Sequence, residues 1–565
     1  MTVSKKAEIK IPAMQDSNTL SVPVLIVGAG PVGMGLALHL RHLGVSSLLV
    51  DRRAVPLRHP RGNSHNARTM EHYRRLGLSK AIRRLGIPRD HPTDVGYFTT
   101  LAGYELARLR LPSENEKQIE LKNAQPFDQI VEPILRCNQM YVEEFLLSHI
   151  RTTREIQCQL GWELASFADK GDCVETVMVD VSSSREVRVD CQYLVGCDGG
   201  QSAVRKALGI SYSGTPYREQ AYAGGLTAST YIRAPALYQR AIRSRCWQYS
   251  IVNPRVRSNI VTLDGTSEFL FSTRLKPQDN ETERQAIHRQ LVMSMGLELE
   301  YEYISHFLWT AGQALVAEQY RQGRVVLAGD AVHLFTPQGG FGMNTGMDDV
   351  ANLGWKLAAL VQNWGGPTLL ASYEKERRPI AIRNTNAAQS MARHIGDIPV
   401  AEFLLEESPR GACARNETGA ALGLLTEEFA SLGIQLGARY EDSNINVYDA
   451  GVSPVDSPHE YVPSSVPGGR APHIWIKPNL TSLYDLLGHG FSLLCLGTAE
   501  RTQPFQEAAE RRGLPLKVLS IAMPEARDLY GVDYALLRPD QHVAWRGNEI
   551  PQNCDAVVAA VAGWR

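Results

Sequence analysis

Few folds accept the order of signals between Val22 and Asp51 of this chain. The apolar run from Val22 to Val27 reads as a buried strand and ends at Gly28-Ala29-Gly30-Pro31-Val32-Gly33. Leu36, Leu40 and Leu43 then recur at helical spacing, and Leu48-Leu49-Val50 forms a second strand closed by Asp51. Strand, glycine turn, helix, strand and acid are the full context of a dinucleotide-binding unit. Gly28 makes the turn, Gly30 lets backbone approach a diphosphate, and Gly33 lets helix pack on strand. Asp51, followed by Arg52, is placed to hold ribose hydroxyls. A bare glycine pattern would be weak evidence; here both strands and the acid accompany it. The pattern does not identify the dinucleotide.

A second stretch, Arg324 to Leu357, carries related chemistry. Val325 to Ala328 is a short apolar run bounded by Gly329 and Asp330. A carboxylate at the mouth of a parallel strand can accept hydrogen bonds from a ribose or ribityl hydroxyl. Pro337, Gly339, Gly340 and Gly342 follow, and glycines let backbone lie against a flat ligand. From about Gly346 a helix is expected, because Met347, Val350, Leu353, Leu357 and Leu360 step by three and four. Its free N–H groups would favour an anion, or a ring that becomes anionic when reduced.

With 565 residues the chain can build a large core and more than one domain. A net charge of −1 gives no reason to expect nucleic acid or an anionic membrane surface as partner. No apolar run is long enough to span a bilayer, and the first twenty residues lack the apolar core of a secretory signal. Nine scattered cysteines without a CxxC pair argue against disulfides or structural zinc and for a reducing cytoplasm. No metal site is expected.

The run Cys191 to Arg205, CQYLVGCDGGQSAVR, adds a strand, Asp198-Gly199 and a helix start. With this third glycine–acid corner the chain resembles the single-component FAD-dependent aromatic hydroxylases of para-hydroxybenzoate hydroxylase-like fold, whose three marks stand in this order. The stretches Asn66-Ala67-Arg68-Thr69-Met70-Glu71 and Arg136-Cys137-Asn138-Gln139, and the continuation to Leu357, resemble the phenol-type branch, the group of 2-hydroxybiphenyl 3-monooxygenase and 2,4-dichlorophenol 6-monooxygenase. The resemblance implies FAD held by the first and third corners, with the Asp198 segment serving both FAD and NADH or NADPH. It also implies flavin contacts from Arg68, Arg136 and Gln139, and from Gly340, Gly342, Met343 and Asn344. Pro337 would lie at the reactive flavin edge. A helix-end salt bridge is an equal reading of Arg68, and plain solvation is the alternative for Arg136 and Gln139. His333 reads as a loop hydrogen-bonder, and Arg377 and Arg378 as structural ion-pair partners.

Two excursions interrupt the flavin motifs. The first contains Tyr97, Phe98, Tyr104 and Phe127; the second alternates through Trp247, Tyr249 and Ile251, then Ile260 and Thr262, then Phe269, Phe271 and Thr273. An antiparallel sheet with one wet face is expected, which by resemblance would roof the flavin and wall a pocket for a flat aromatic substrate. A phenol hydroxylase gains from a base near the phenolic proton. The biphenyl-type relatives carry a histidine where this chain has Asn63. Either His65 replaces it, or the substrate arrives activated, or another group serves; a structural role for His65 is as good a reading. Tyr249 and Arg245 are secondary candidates, with core packing the plainer reading.

The expected α/β architecture is therefore a Rossmann-like FAD-binding domain (21–91, 129–211 and 310–395) with an inserted antiparallel-sheet substrate domain (92–128 and 212–309). A flexible tail (1–20), a helical region and linker (396–467) and a thioredoxin-like domain (468–565) complete it. Cys495 has no CxxC partner there, so that last domain is expected to serve stability or homodimer contact rather than redox chemistry. The expected activity is NAD(P)H- and dioxygen-dependent hydroxylation of a substituted phenol or related aromatic through a flavin C4a-hydroperoxide. Baeyer–Villiger or polyketide-ring oxygenation, a non-oxygenating flavin reductase and a non-catalytic nucleotide-binding scaffold stay open.

Overall fold

The computed structural model describes residues 19–216, 225–426, 428–477, 480–497 and 501–565. The expected tail lies outside these residues except for Thr19 and Leu20, which already belong to the first strand, Thr19–Val27. That strand is buried on both faces from Val24 to Ile26, as the centre of a parallel sheet requires. The sheet order is Arg321–Gln322, Val325–Leu327, Glu186–Gly196, Thr19–Val27, Ser47–Asp51 and Ile156–Leu160. Val24 stands opposite both Tyr193 and Ser47, and Val195 opposite Val326, in parallel register. Three segments far apart in sequence thus end at one sheet edge and deliver Gly28, Asp198 and Asp330 there.

The long helix begins earlier than its apolar spacing predicts, at Phe341–Val361 rather than near Gly346. Gly340, left-handed at φ 64°, ends the loop, and Gly342 already lies inside the first turn. Glycine adds nothing to hydrophobic periodicity, so the pattern is silent there.

A seven-stranded sheet forms beside the flavin unit, in the order Glu302–Ala311, Gly225–Arg233, Glu268–Arg274, Arg257–Thr262, Gln248–Val252, Val95–Phe98 and Glu105–Leu109. Its pairs are antiparallel except that Gln248–Val252 runs parallel to Val95–Phe98. One face buries Tyr249, Ile251, Ile260, Phe269 and Phe271 against the helix Glu283–Met295. The first excursion divides. Its strands join this sheet, but Phe127 packs against the C-terminal unit, where the Trp475 N–H donates to the Pro126 carbonyl at 2.7 Å. Tyr104 is exposed beneath the Arg415 guanidinium. Neither aromatic therefore walls a pocket with Trp247.

In the C-terminal unit Phe491–Cys495 pairs parallel with Leu516–Ser520 across the helix Gln503–Arg511, and Tyr534–Leu537 and Val543–Gly547 complete the sheet antiparallel. This is the expected thioredoxin-like arrangement. Cys495 is buried and all nine cysteines are free thiols. Among the described residues no helix is long and apolar enough to cross a membrane.

A buried polar knot ties this unit to the flavin unit. Arg538 donates to both oxygens of Glu376 at 2.7 and 2.8 Å and to both of Asp540 at 3.0 and 2.6 Å. Lys356 donates to Glu376 at 2.6 Å, and Asn352 to both acids. Burial opposes ionisation of Glu376, but Arg538 and Lys356 outweigh it and hold the carboxyl at about 2. An unfolded glutamate titrates near pH ~4.3, so the ionised carboxylate stabilises the fold above that pH, and the contribution is lost as pH falls through the folded value. Urea midpoints of the parent and Glu376→Gln should therefore differ most near neutrality and converge toward pH 2. A pH-independent gap would refute the assignment.

Candidate active site

The three glycines of the first corner differ in what surrounds them. Gly28 has φ 109°, and a Cβ there would meet the Cys197 carbonyl at 2.3 Å. A Cβ on Gly33 would stand 1.9 Å from the Gly28 carbonyl. A Cβ on Gly30 would meet nothing within 4 Å, so the backbone there faces open space. The helix Pro31–His42 begins at Gly30 with no side-chain cap, which leaves its first-turn N–H groups turned to that space. Asp51 accepts from the Ala29 N–H at 2.9 Å and from the Arg53 N–H and Nε at 2.9 and 3.0 Å. Burial works against the Asp51 charge, yet Arg53 keeps its carboxyl below the usual range. Arg52, the other cofactor contact expected here, is exposed, and Arg53 is the residue that pairs with Asp51.

Asp198 splits its duties. One oxygen accepts from the Ala203 and Val204 N–H groups at 2.7 and 3.2 Å and starts the next helix; the other is buried without a partner. Asp330 is exposed, and among the described residues no donor reaches its carboxylate. Its corner is fixed from behind. Asp349 accepts from the Gly329 N–H at 3.2 Å, from His333 Nε2 at 2.7 Å and from Arg377 Nε at 2.9 Å, all buried. His333 and Arg377 thus position the backbone at Gly329-Asp330.

The loop that follows carries exposed Pro337, then Gly339 and Gly340 at φ 75° and 64°. Gly340 starts the Phe341–Val361 helix, again with no side-chain cap. Gly342 lies against Phe335, and Met343 packs partly buried on the main core. The Asn344 side chain accepts from the Asn66 N–H at 2.9 Å and donates to the Ser64 and Gly340 carbonyls at 3.1 and 2.6 Å. It fastens the 61–66 segment to the helix start.

That segment decides the fate of the histidine candidate. Ser64–His65 pairs with Leu135–Arg136, and side chains alternate across such a pair. Ser64 accepts from Arg136 Nη1 at 2.5 Å on one face. His65 lies on the other, fully buried with its ring 5.8 Å from Tyr73, and neither ring nitrogen has a partner. Burial pushes its pKa down to about 4. Asn63 accepts from Asn138 Nδ2 at 2.6 Å. Gln139 abuts Gly62, its N–H donating to the Gly62 carbonyl at 2.7 Å and its Nε2 to Glu143 at 2.6 Å.

Arg136 is 5% exposed, stacks on Trp247 at 4.1 Å and has Phe429 5.8 Å away. Its Nε has no partner. Glu428 accepts from the Gly339 N–H at 3.4 Å. Glu428 and Phe429 carry no motif and were missed by sequence reasoning, because only folding brings them to Gly339 and Arg136. Two expected site residues point elsewhere. Arg68 donates to Glu71 and Gln541 at 2.7 and 2.6 Å and to the Asp540 carbonyl at 2.7 Å, so its salt-bridge reading prevails. Tyr249 is fully buried on the Glu283–Met295 side of its sheet, where its hydroxyl accepts from the Cys246 N–H at 2.9 Å. Arg245 is exposed over Tyr238.

Two uncapped helix starts, open backbone at Gly30 and an unpartnered carboxylate at Asp330 suit one elongated molecule. It would carry a diphosphate, a hydroxylated chain and a flat ring with acceptors, as FAD does. Among the described residues no group of three or more His, Cys, Asp or Glu could hold a metal ion.

Comparison with known proteins agrees with this chemistry. The family model for an FAD binding domain matches residues 21–388, and that for an aromatic-ring hydroxylase C-terminal domain matches residues 464–564. A putative polyketide hydroxylase of Streptomyces halstedii is 31% identical over 94% of this chain and 94% of its own. Phenol 2-monooxygenase of Pseudomonas sp. (strain EST1001) is 28% identical over 95% and 91%. The structure of RebC soaked with chromopyrrolic acid and holding 7-carboxy-K252c matches with a TM-score of 0.86 at 34% identity, covering 96% of this chain and 99% of that one.

Proposed function

Because the chain belongs to the FAD-dependent aromatic-ring hydroxylases, enzymes of the monooxygenase type, we propose that it uses NADH or NADPH and dioxygen to hydroxylate a substituted phenol or related aromatic. The observation that carries this reading is the uncapped helix start at Gly340, which Asn344 ties to Ser64, the residue that accepts from Arg136 beside Trp247 and Phe429. Bound FAD supplies hydride acceptance from the nicotinamide and transfer of one oxygen atom from dioxygen to the ring. The chain supplies the rest. The Gly30 turn and the Pro31–His42 helix start would bind the diphosphate, Asp51 the ribose and Asp330 a ribityl hydroxyl. The Gly340 helix start would present a partial positive charge to a ring that becomes anionic when reduced. Trp247 and Phe429 would keep water from the reacting atoms.

A second reading has its own support. On the sheet face opposite Tyr249, Ser250, Asn259, Ser272 and Ser229 stand in register across four strands. Ser250 donates to Asn259 at 2.9 Å, and Trp309 Nε1 to Ser229 at 2.9 Å. So polar a row favours a ring system bearing several oxygens, such as a polyketide, over a bare phenol.

The test is NAD(P)H consumption by the FAD-loaded protein with monocyclic phenols and with polyhydroxylated polycyclic aromatics, with product mass read alongside. Substrate-stimulated consumption and a product one oxygen heavier are expected. Consumption that no aromatic stimulates would overturn the proposal, and the class that stimulates best separates the two readings. His65→Ala should keep the parent's pH–rate profile while lowering thermal stability, because His65 fills core. Tyr249→Phe should cost about 1 kcal/mol through its lost hydrogen bond and leave the rate unchanged. A shifted acid limb in the His65 variant would restore it as a base.

A further inference from the structure

We propose that Glu428 takes the phenolic proton of the substrate and that Arg136 holds the phenolate this leaves, a step that rests on the ring-hydroxylation reading above. The base has to be found elsewhere than the position the sequence pointed to: Asn63 cannot accept a proton at pH 7, and His65 lies on the far side of its strand from Ser64 and Arg136. Glu428 stands near Arg136: its chain neighbour Phe429 lies under the Arg136 guanidinium, and the Arg136 charge acts on the Glu428 carboxyl. Its carboxyl is anchored by the Gly339 N–H, in the loop that starts the long helix, and the residue keeps some exposed surface. Arg136 is fixed by Ser64 and sandwiched by Trp247 and Phe429, and its Nε has no acceptor. Among the described residues the two charges form no ion pair with each other. Each therefore keeps an unused valence beside the same loop, one able to accept a proton and one able to donate a hydrogen bond. A phenolic hydroxyl satisfies both.

In the step the substrate O–H bond breaks and the proton forms a carboxylic acid on Glu428. The electron pair stays on the substrate oxygen, accepts from Arg136 Nε–H, and delocalises into the ortho and para carbons, which makes them better nucleophiles. Glu428 returns the proton to water through its exposed side. The groups acting on Glu428 are burial, which pushes its carboxyl up to about 7, and the Gly339 N–H and Arg136, which pull it down. A base near neutrality is matched to a phenol at working pH. Burial lowers Arg136 only to about 10, so it stays charged.

The experiment titrates FAD-loaded protein with 4-nitrophenol, without NAD(P)H, and reads the phenolate band by difference absorbance across pH. At each pH above that at which Glu428 itself is protonated, the parent should carry more of the probe as phenolate than free solution does. Glu428→Gln should bind it as the neutral phenol, Glu428→Asp should restore part of the phenolate signal, and Arg136→Gln should weaken phenolate binding. With a turned-over substrate, Glu428→Gln should lose the acid limb of the kcat/KM profile and about 100-fold or more in rate, the scale of general-base catalysis. FAD content and thermal unfolding of each variant report whether it folds; if Glu428→Gln fails to fold, the Asp and Arg136 variants carry the comparison. Equal ionisation of the bound probe in parent and Glu428 variants, or no saturable binding to the parent, would overturn the assignment. The probe is read without turnover, so ionisation without ring hydroxylation sinks the proposed activity and leaves this step standing.

Discussion

Replacing Arg538 with alanine is expected to cost the fold about 3–5 kcal/mol, the scale for removing one partner from a buried charge pair. Arg538 is fully buried, and its guanidinium is the shared counter-charge of Glu376, on the helix Ala371–Gly396, and of Asp540. Without it two buried carboxylates would be left to one cation, Lys356, and to the neutral donors Asn352, Trp355, Ser443 and the His542 N–H. Repulsion falls on the seam between the flavin unit and the C-terminal unit, because Glu376 belongs to the first and Asp540 to the second. The variant should therefore show a lowered urea midpoint together with faster proteolysis in the proline-rich 454–467 stretch. Combining Arg538→Met with Glu376→Gln should recover part of the loss, since it removes charge from both sides. An unchanged midpoint in Arg538→Ala would mean that the knot is not a stabilising seam.

The second large effect separates two glycines of one motif. Gly33→Ala places a Cβ 1.9 Å from the Gly28 carbonyl, a backbone atom that cannot move without shifting the turn. The protein should purify without yellow colour and melt earlier, with overpacking alone costing about 1–3 kcal/mol. Gly30→Ala places its Cβ where no protein atom lies within 4 Å. It should fold with the parent's stability in the absence of FAD and yet bind FAD at least about tenfold more weakly, a loss of roughly 1.4 kcal/mol. Apo melting curves and FAD titrations measure both. Should Gly30→Ala bind FAD as the parent does, the diphosphate does not rest on this turn.

Much of the framework was legible because its causes are local. A strand, a glycine turn and a helix start lie within a few residues of each other, so the corners at Gly28, Asp198 and Asp330 could be read off directly. The helix at Phe341 was read late because glycine carries no periodicity. Phe127 neighbours the substrate half in sequence, but it packs against the C-terminal apolar cluster that contains Trp475. Arg68 and Arg136 looked alike as arginines beside a motif; one is consumed by Gln541 and Asp540, the other keeps a free nitrogen.

Residue order alone specified the nucleotide-binding unit and the division into a flavin half, a sheet half and a C-terminal unit, while FAD followed from the family resemblance that the three glycine–acid corners carry. Turn geometry, helix starts and strand burial depend on neighbouring residues and survive in any context. Which side chains gather beside Gly339 and Gly340 was settled by packing. The pairing of Ser64–His65 with Leu135–Arg136 sends serine to one face and histidine to the other, and no local pattern specifies that choice. Glu428 meets the Gly339 N–H across 89 residues of chain, and burial pushes its carboxyl up against the pull of that N–H and of Arg136. Burial is a property of the packed whole, so it cannot be read from the residues around Glu428.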